Sequence, residues 1–117
     1  MLKDAEIAAY RARLLAEREA LATEDAASAE NRGTVILDQQ SVGRLSRMDA
    51  LQRQAMAQAT QRRRAGRGAR IAAALRRIED IEFGYCEECG EEIGKKRLNL
   101  DPTLALCVSC ARGGSGN

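Results

Sequence analysis

The stretch Phe83-Gly84-Tyr85-Cys86-Glu87-Glu88-Cys89-Gly90, answered downstream by Cys107-Val108-Ser109-Cys110, decides how this chain is read. All four cysteines stand in these two C-x2-C pairs, with seventeen residues between the pairs. Two residues between ligands let the backbone turn tightly enough for both sulfurs to reach one tetrahedral ion at about 2.3 Å. Gly90, directly after Cys89, suits the positive φ that such a turn needs. The pattern predicts one structural Zn2+ held by Cys86, Cys89, Cys107 and Cys110. The chain has no histidine, and four sulfurs on one ion leave no position for an activated water, so a structural ion is expected rather than metal-centred catalysis. A rubredoxin-like iron site and a thiol redox pair are the rival readings. Lys95, Lys96 and Arg97 lie between the pairs and are placed to offset the negative charge of four thiolates.

Outside this module the chain is poor in material for a core. Its 117 residues include one phenylalanine, two tyrosines and no tryptophan, so little large apolar surface is available to bury. Alanine supplies much of the 44% hydrophobic content, and alanine favours helix while burying little area. Residues 3 to 29 read as one helix, with Ile7, Tyr10, Leu14, Glu17 and Leu21 at alternating steps of three and four. Asn31-Arg32-Gly33 is its expected stop.

A connecting tip follows, about 33 to 49. Ser41 and Ser46 are its candidate helix N-caps, and Asp49 stands three residues after Ser46 in a weak capping box. A second helix is expected from 46 to 82, with Met48, Leu51, Ala55 and Ala59 as its first apolar stripe and Ala72, Leu75 and Ile78 as its last. Gly66 and Gly68 inside it suggest a close approach to the first helix or a bend. Residues 1 to 31 carry four bases and seven acids, and residues 44 to 82 carry ten bases and four acids; this complementarity favours pairing the two helices.

The expected fold is therefore mainly α: a long antiparallel coiled-coil hairpin over 1–82 with a small four-cysteine zinc finger over 83–112. Residues 113–117, Gly-Gly-Ser-Gly-Asn, form a flexible tail. The N-terminus has no apolar leader and no segment reaches the roughly 20 apolar residues of a membrane span. The paired cysteines suit a reducing compartment, and a soluble cytoplasmic protein is expected.

The segment from Ile78 to Leu98, with F-G-Y-C-x-x-C-G leading into E-I-G-x-x-R-L, and the D-P-T-x-x-L-C turn from Asp101 to Cys107, resemble the DksA/TraR family of zinc-finger transcription factors. The resemblance covers residues 78–110 in detail, and the upstream hairpin fits that family in length and order. It implies a transcription regulator, not an enzyme, that binds RNA polymerase, with the finger at the rim of the secondary channel and the coiled-coil tip directed at the active centre. It implies action on open-complex stability and promoter output, often together with the alarmone ppGpp, and no sequence-specific DNA binding.

Set against that family, the chain is expected to be a short form, without the extension that precedes the coiled coil in longer members. The family's acidic tip motif, D-x-x-D-x-A, is absent: counted back from Cys86, its aspartates fall at Gly43 and Ser46. Ser46, Arg47, Met48 and Asp49 are then the tip candidates, with Asp49 either replacing the motif or charging the first helical turn. By the same count two basic positions near the finger become Asp101 and Ala111 here, where ppGpp would need positive charge.

Arg63, Arg67, Arg70 and Arg77 are expected on one face of the second helix, with Arg62, Arg64 and Arg76 beside it. A solvated face paired with the acids of the first helix is the simplest reading. On the family reading, Arg63, Arg67, Arg70 and Arg97 become polymerase-docking residues of a monomer. The alternative is a zinc-ribbon nucleic-acid-binding protein that uses this basic face. No aromatics interleave with the arginines, which argues against base stacking.

Overall fold

The computed structural model describes residues 2–33 and 44–113. Among these residues four helices follow in order: α1 (Asp4–Gly33), α2 (Arg44–Glu79), α3 (Lys95–Leu100) and α4 (Val108–Ala111). Among the described residues there is no strand; Tyr85 and Glu92 form one isolated antiparallel bridge. The mainly helical class is as expected. The expected tip falls largely outside the described residues, which include neither Ser41 nor Gly43, and residues 114–117 of the tail lie outside them too.

The chain divides into two compact units. One joins residues 1–18 and 69–117; the other is residues 19–68. The division differs from the boundary expected at 82/83, because the start of α1 and the end of α2 belong with the finger. Each unit combines an early part of α1 with a late part of α2, or the reverse, as antiparallel pairing requires.

In the finger-bearing unit α1 begins with its first orphan donor satisfied: the Lys3 N–H donates to Glu6 Oε1 at 3.0 Å, the return half of a capping box. Its 3–4 stripe is buried as expected, with Tyr10 and Leu14 in the core and Ile7 half-buried. Ile71 and Ala74 of α2 and Phe83, Ile93 and Leu98 of the finger complete that core. The Tyr10 and Phe83 rings lie 5.6 Å apart at 47°, within the range where aromatic pairs attract.

The start of α2 differs from the expectation. Ser46 is not its N-cap but its third residue, and Asp49 is its sixth, past the first turn. The stripe of Met48, Leu51 and Ala55 is exposed rather than paired with α1. The inward face instead follows Ala50, Ala57, Gln61, Arg64, Gly68 and Ile71, of which Ala50 and Ile71 are fully buried. That series keeps alternating steps of three, four and seven, but most of its members are small or polar. Arg64 lies in it with its Nε 3.5 Å from Asp25 Oδ1, an ion pair without hydrogen-bond geometry.

Gly68 does not mediate a close approach: a Cβ built there meets nothing within 4 Å. The α2 helix runs unbroken through Gly66 and Gly68, so neither glycine ends it. Three residues earlier than expected, α2 closes in a Schellman motif. Glu82 N–H donates to Arg77 O at 2.8 Å and Ile81 N–H to Ile78 O at 3.2 Å. The left-handed residue is Ile81, at φ 59, where glycine is usual. A β-branched residue there costs about 1–2 kcal/mol.

Because Gly68 sits in helical backbone with open space beside it, Gly68→Ala is expected to stabilise the protein by about 0.5–1 kcal/mol. A rise in the urea midpoint at unchanged m-value checks this; a fall would show a backbone contact at Gly68 that the geometry does not contain.

Candidate metal centre

The two cysteine pairs are set by two different local structures. At the first, Gly90 N–H donates to Cys86 O at 2.9 Å and Cys86 N–H donates to Glu91 O at 2.8 Å. This tight turn reverses the chain, and Gly90 takes the expected positive φ, 76°. At the second, Cys107 stands at the N-cap of α4 and Ala111 N–H donates to its carbonyl at 2.9 Å. The bond from Glu87 N–H to Ala105 O, 2.9 Å, ties the two turns together.

The result is that the four Sγ atoms lie within 4.8 Å of one another. Cys86 and Cys110 are buried, Cys107 is half-buried and Cys89 is exposed. Tetrahedral coordination at about 2.3 Å requires sulfurs about 3.8 Å apart, and Cys89 Sγ and Cys107 Sγ are 3.6 Å apart. The donor set and spacing fit zinc, which would be held by all four cysteines and would supply a structural cross-link with no open coordination position.

The thiols do not ionise alike without a cation. Burial opposes ionisation of Cys86, but backbone N–H groups of Cys107, Cys89 and Glu88 directed at its sulfur outweigh it and bring the thiol down to about 6. Cys110 is pushed up, first by its hydrogen bond with Cys107 and then by burial. Cys89 is also raised: the Glu91 N–H favours its thiolate, but burial and the neighbouring Cys86 and Cys107 sulfurs prevail. Crowded sulfurs thus accept one negative charge readily and resist more until a divalent ion joins them.

The expected charge offset by Lys95, Lys96 and Arg97 is not how two of these side chains are engaged. Lys95 Nζ lies 2.6 Å from Glu6 Oε2, fastening the start of α1 to α3. That contact, with the Lys3 N–H, lowers the Glu6 pKa and raises that of Lys95. Arg97 is half-buried, and its Nε donates to Leu106 O at 2.9 Å. Asp101 closes the turn before the second pair, with Oδ1 accepting from Thr103 N–H at 3.0 Å and Thr103 Oγ1 at 2.7 Å.

Arg77 leaves the expected basic stripe. It is buried, its Nη2 donates to Thr103 O at 3.2 Å and its Nη1 lies 3.4 Å from Glu87 Oε1. Its length lets the stem pack while the head reaches the finger backbone. Arg63 and Arg70 are exposed, Arg67 is half-buried, and Arg63 Nη2 donates to Thr60 Oγ1 at 2.9 Å. Ser46, Arg47, Met48 and Asp49 are all exposed on α2.

Sequence reasoning also missed the clamp of α1 on the finger. Tyr10 OH donates to Asn99 Oδ1 at 2.6 Å, and Arg13 donates to Asn99 O at 2.7 Å and Leu100 O at 3.3 Å. Two of these bonds satisfy carbonyls at the end of α3. The one available signal was Tyr10, the sole aromatic outside the cysteine module.

Residues 81–113 match the family model of the prokaryotic dksA/traR C4-type zinc finger. Curated proteins named RNA polymerase-binding transcription factor DksA, from Escherichia coli strain K12 and Salmonella typhimurium, are 51% identical over 41 residues. One of the same name from Haemophilus influenzae is 49% identical over 41 residues. The aligned part is 35% of this chain and only 27% or 28% of those relatives, so the match spans about a quarter of their length. The solved structure of transcription factor DksA2 from Pseudomonas aeruginosa is similar over 97% of this chain and 86% of that one, with TM-score 0.81 and 22% identity; it shows the fold. The chain therefore carries a zinc finger of the DksA/TraR C4 type.

One zinc per chain is expected by elemental analysis. Chelation, or Cys86→Ser, should abolish amide-exchange protection from residue 84 to 111, since the buried sulfurs hold that backbone; protection surviving removal of the metal would refute a structural role. Zinc binding displaces protons from the raised thiols, so apparent affinity should fall as pH falls, most steeply below about 6 where Cys86 also protonates. Chelator competition at several pH values reads this, and a pH-independent affinity would contradict the four-thiolate site.

Proposed function

We propose that this chain, bearing a DksA/TraR-type finger, is a non-enzymatic transcription regulator that binds RNA polymerase through its secondary channel. The observation that carries the reading is the finger: residues 81–113 match the family model, and the proteins sharing this segment are named for polymerase binding. The fold likeness over nearly the whole chain supports the same architecture around it.

On this reading the finger-bearing unit docks, and the segment joining α1 to α2, with the first turns of α2, acts on active-centre elements to alter open-complex stability. Ser46, Arg47, Met48 and Asp49 are the working side chains. Consecutive helical residues spread around a turn, so these four do not make one surface; Ser46 and Asp49, three apart, share a side. Arg63, Arg67 and Arg70 are the proposed contacts to acidic polymerase elements. Arg97, with its Nε bonded to Leu106 O, positions the finger loop as well as any partner. The protein acts as a cytoplasmic monomer, and no helix among the described residues is long and apolar enough to cross a membrane.

Action with ppGpp is the part of the resemblance these residues support least. Asp101 places a carboxylate where positive charge is wanted, and that carboxylate is engaged in its own turn. Polymerase binding is proposed without it. The nucleic-acid alternative is weakened as well: Arg77 is withdrawn from the basic stripe into the core.

Core RNA polymerase should retain the zinc-loaded protein and release it to a second secondary-channel factor; failure to bind refutes the proposal. In promoter-specific transcription in vitro, Asp49→Ala should bind polymerase as well as wild type and lose most of the regulatory effect. Full activity of that variant would remove Asp49 from the mechanism.

A further inference from the structure

Beside the finger lies a groove of about 380 Å³, lined by apolar groups of Leu2, Ile7, Ile78, Ile81, Tyr85 and Leu98. All of them belong to the finger-bearing unit. Ile81 stands at its edge, 88% exposed, in the left-handed backbone that ends α2. A glycine or asparagine would end the helix there with less strain. The isoleucine therefore costs the isolated chain backbone energy and buries almost no apolar surface in return.

The charge around the groove says what would cover it. Residues 79–92 hold seven acids and no base, and the acids are all exposed. Asp4 and Glu92 line the groove itself, and Glu82 lies with Ile81 in the adjoining depression. Lys95, the base in the lining, is 2.6 Å from Glu6. Arg77 of that depression faces Glu87 at 3.4 Å, so Asp4, Glu82 and Glu92 give the groove its net negative charge, which attracts a basic occupant and repels an acidic segment or a phosphate backbone.

We propose that this groove receives a basic segment of RNA polymerase carrying an apolar side chain, with Ile81 as the apolar anchor on this side. The inference rests on the polymerase reading and names the surface by which the finger-bearing unit grips its partner. Ile81 gains on docking the burial it lacks in the free chain, and the surrounding carboxylates select the partner by charge and hasten the encounter.

The test uses the full zinc-loaded chain and core RNA polymerase. Ile81→Gly is expected to raise the thermal midpoint by a few degrees while weakening polymerase binding about tenfold. The triple variant Asp4→Asn, Glu82→Gln, Glu92→Gln should weaken binding at low salt and flatten its salt dependence. Both variants binding as wild type, with wild type bound, would overturn this inference and leave the polymerase reading intact. No binding by wild type would overturn both. A lower thermal midpoint for Ile81→Gly would remove the strain on which the argument leans and overturn it. Residues 44–78, with ten bases and one acid, make a second copy the competing occupant. Sedimentation showing a dimer that Ile81→Gly abolishes would assign the groove to self-association and overturn the proposal.

Discussion

Four sulfur atoms within 4.8 Å of one another set the terms for the rest of the finger. As thiols they make weak hydrogen bonds, and as thiolates they repel. A divalent cation turns that crowding into a cross-link between two turns that share one direct backbone bond, Glu87 N–H to Ala105 O. Buried around them are Phe83, Ile93, Leu98 and Pro102, too few to hold some thirty residues by apolar burial alone. The metal therefore substitutes for a core, and the buried positions of Cys86 and Cys110 are the points where it joins what core there is.

What the metal fixes, the helices then share. Arg77 of α2 reaches Thr103 O, Arg13 of α1 reaches Asn99 O and Leu100 O, and Lys95 of α3 meets Glu6 of α1. The first of these is a buried hydrogen bond from a charged donor, so its loss costs more than that of an exposed ion pair. The Glu6–Lys95 pair is a surface contact and weaker. Its sign is still definite: the lowered Glu6 pKa means its contribution is present above the ordinary carboxylate range and is lost as pH falls through the lowered value. Local stability is graded accordingly. Among the described residues the fully buried large side chains, Leu14, Ile71, Leu98 and Pro102, all lie in the finger-bearing unit. The described α2 residues of the other unit offer a seam of Ala50, Ala57, Gln61, Arg64 and Gly68, which supplies less apolar burial against local opening.

These differences explain which features could be read from the residues alone. The cysteine spacing was legible because ligand pairs two residues apart encode their own geometry. The α1 stripe was legible because Tyr10 and Leu14 are large and recur at helical steps. The inward face of α2 was not. Met48 and Leu51 announce a stripe that turns out exposed, while the buried one runs through Ala50 and Ala57. In an alanine-rich helix periodicity cannot rank two such faces, since the choice depends on what α1 presents. Arg77 and Tyr10 were opaque for a related reason: their partners lie 26 and 89 residues away, and an arginine on a helix reads as solvated until something is seen to receive it. Ser46 looked like a cap because its residue type favours caps, but the helix had already begun at Arg44.

The same comparison gives Ile81 its weight. Around the finger several local choices agree with the fold: Glu6 caps α1, Gly90 takes the positive φ of the metal turn, and Asp101 folds its own turn with Thr103. At the end of α2 the hydrogen bonds of a Schellman motif are complete, yet the residue at its left-handed position is among the least suited to it. Local preference is commonly violated where something other than folding is at stake. The violation here is an exposed isoleucine beside an apolar groove, within fourteen residues that carry seven acids and no base. Folding does not require that combination, because a glycine would close the helix with less strain. A partner that brings positive charge and an apolar side chain uses all of it at once.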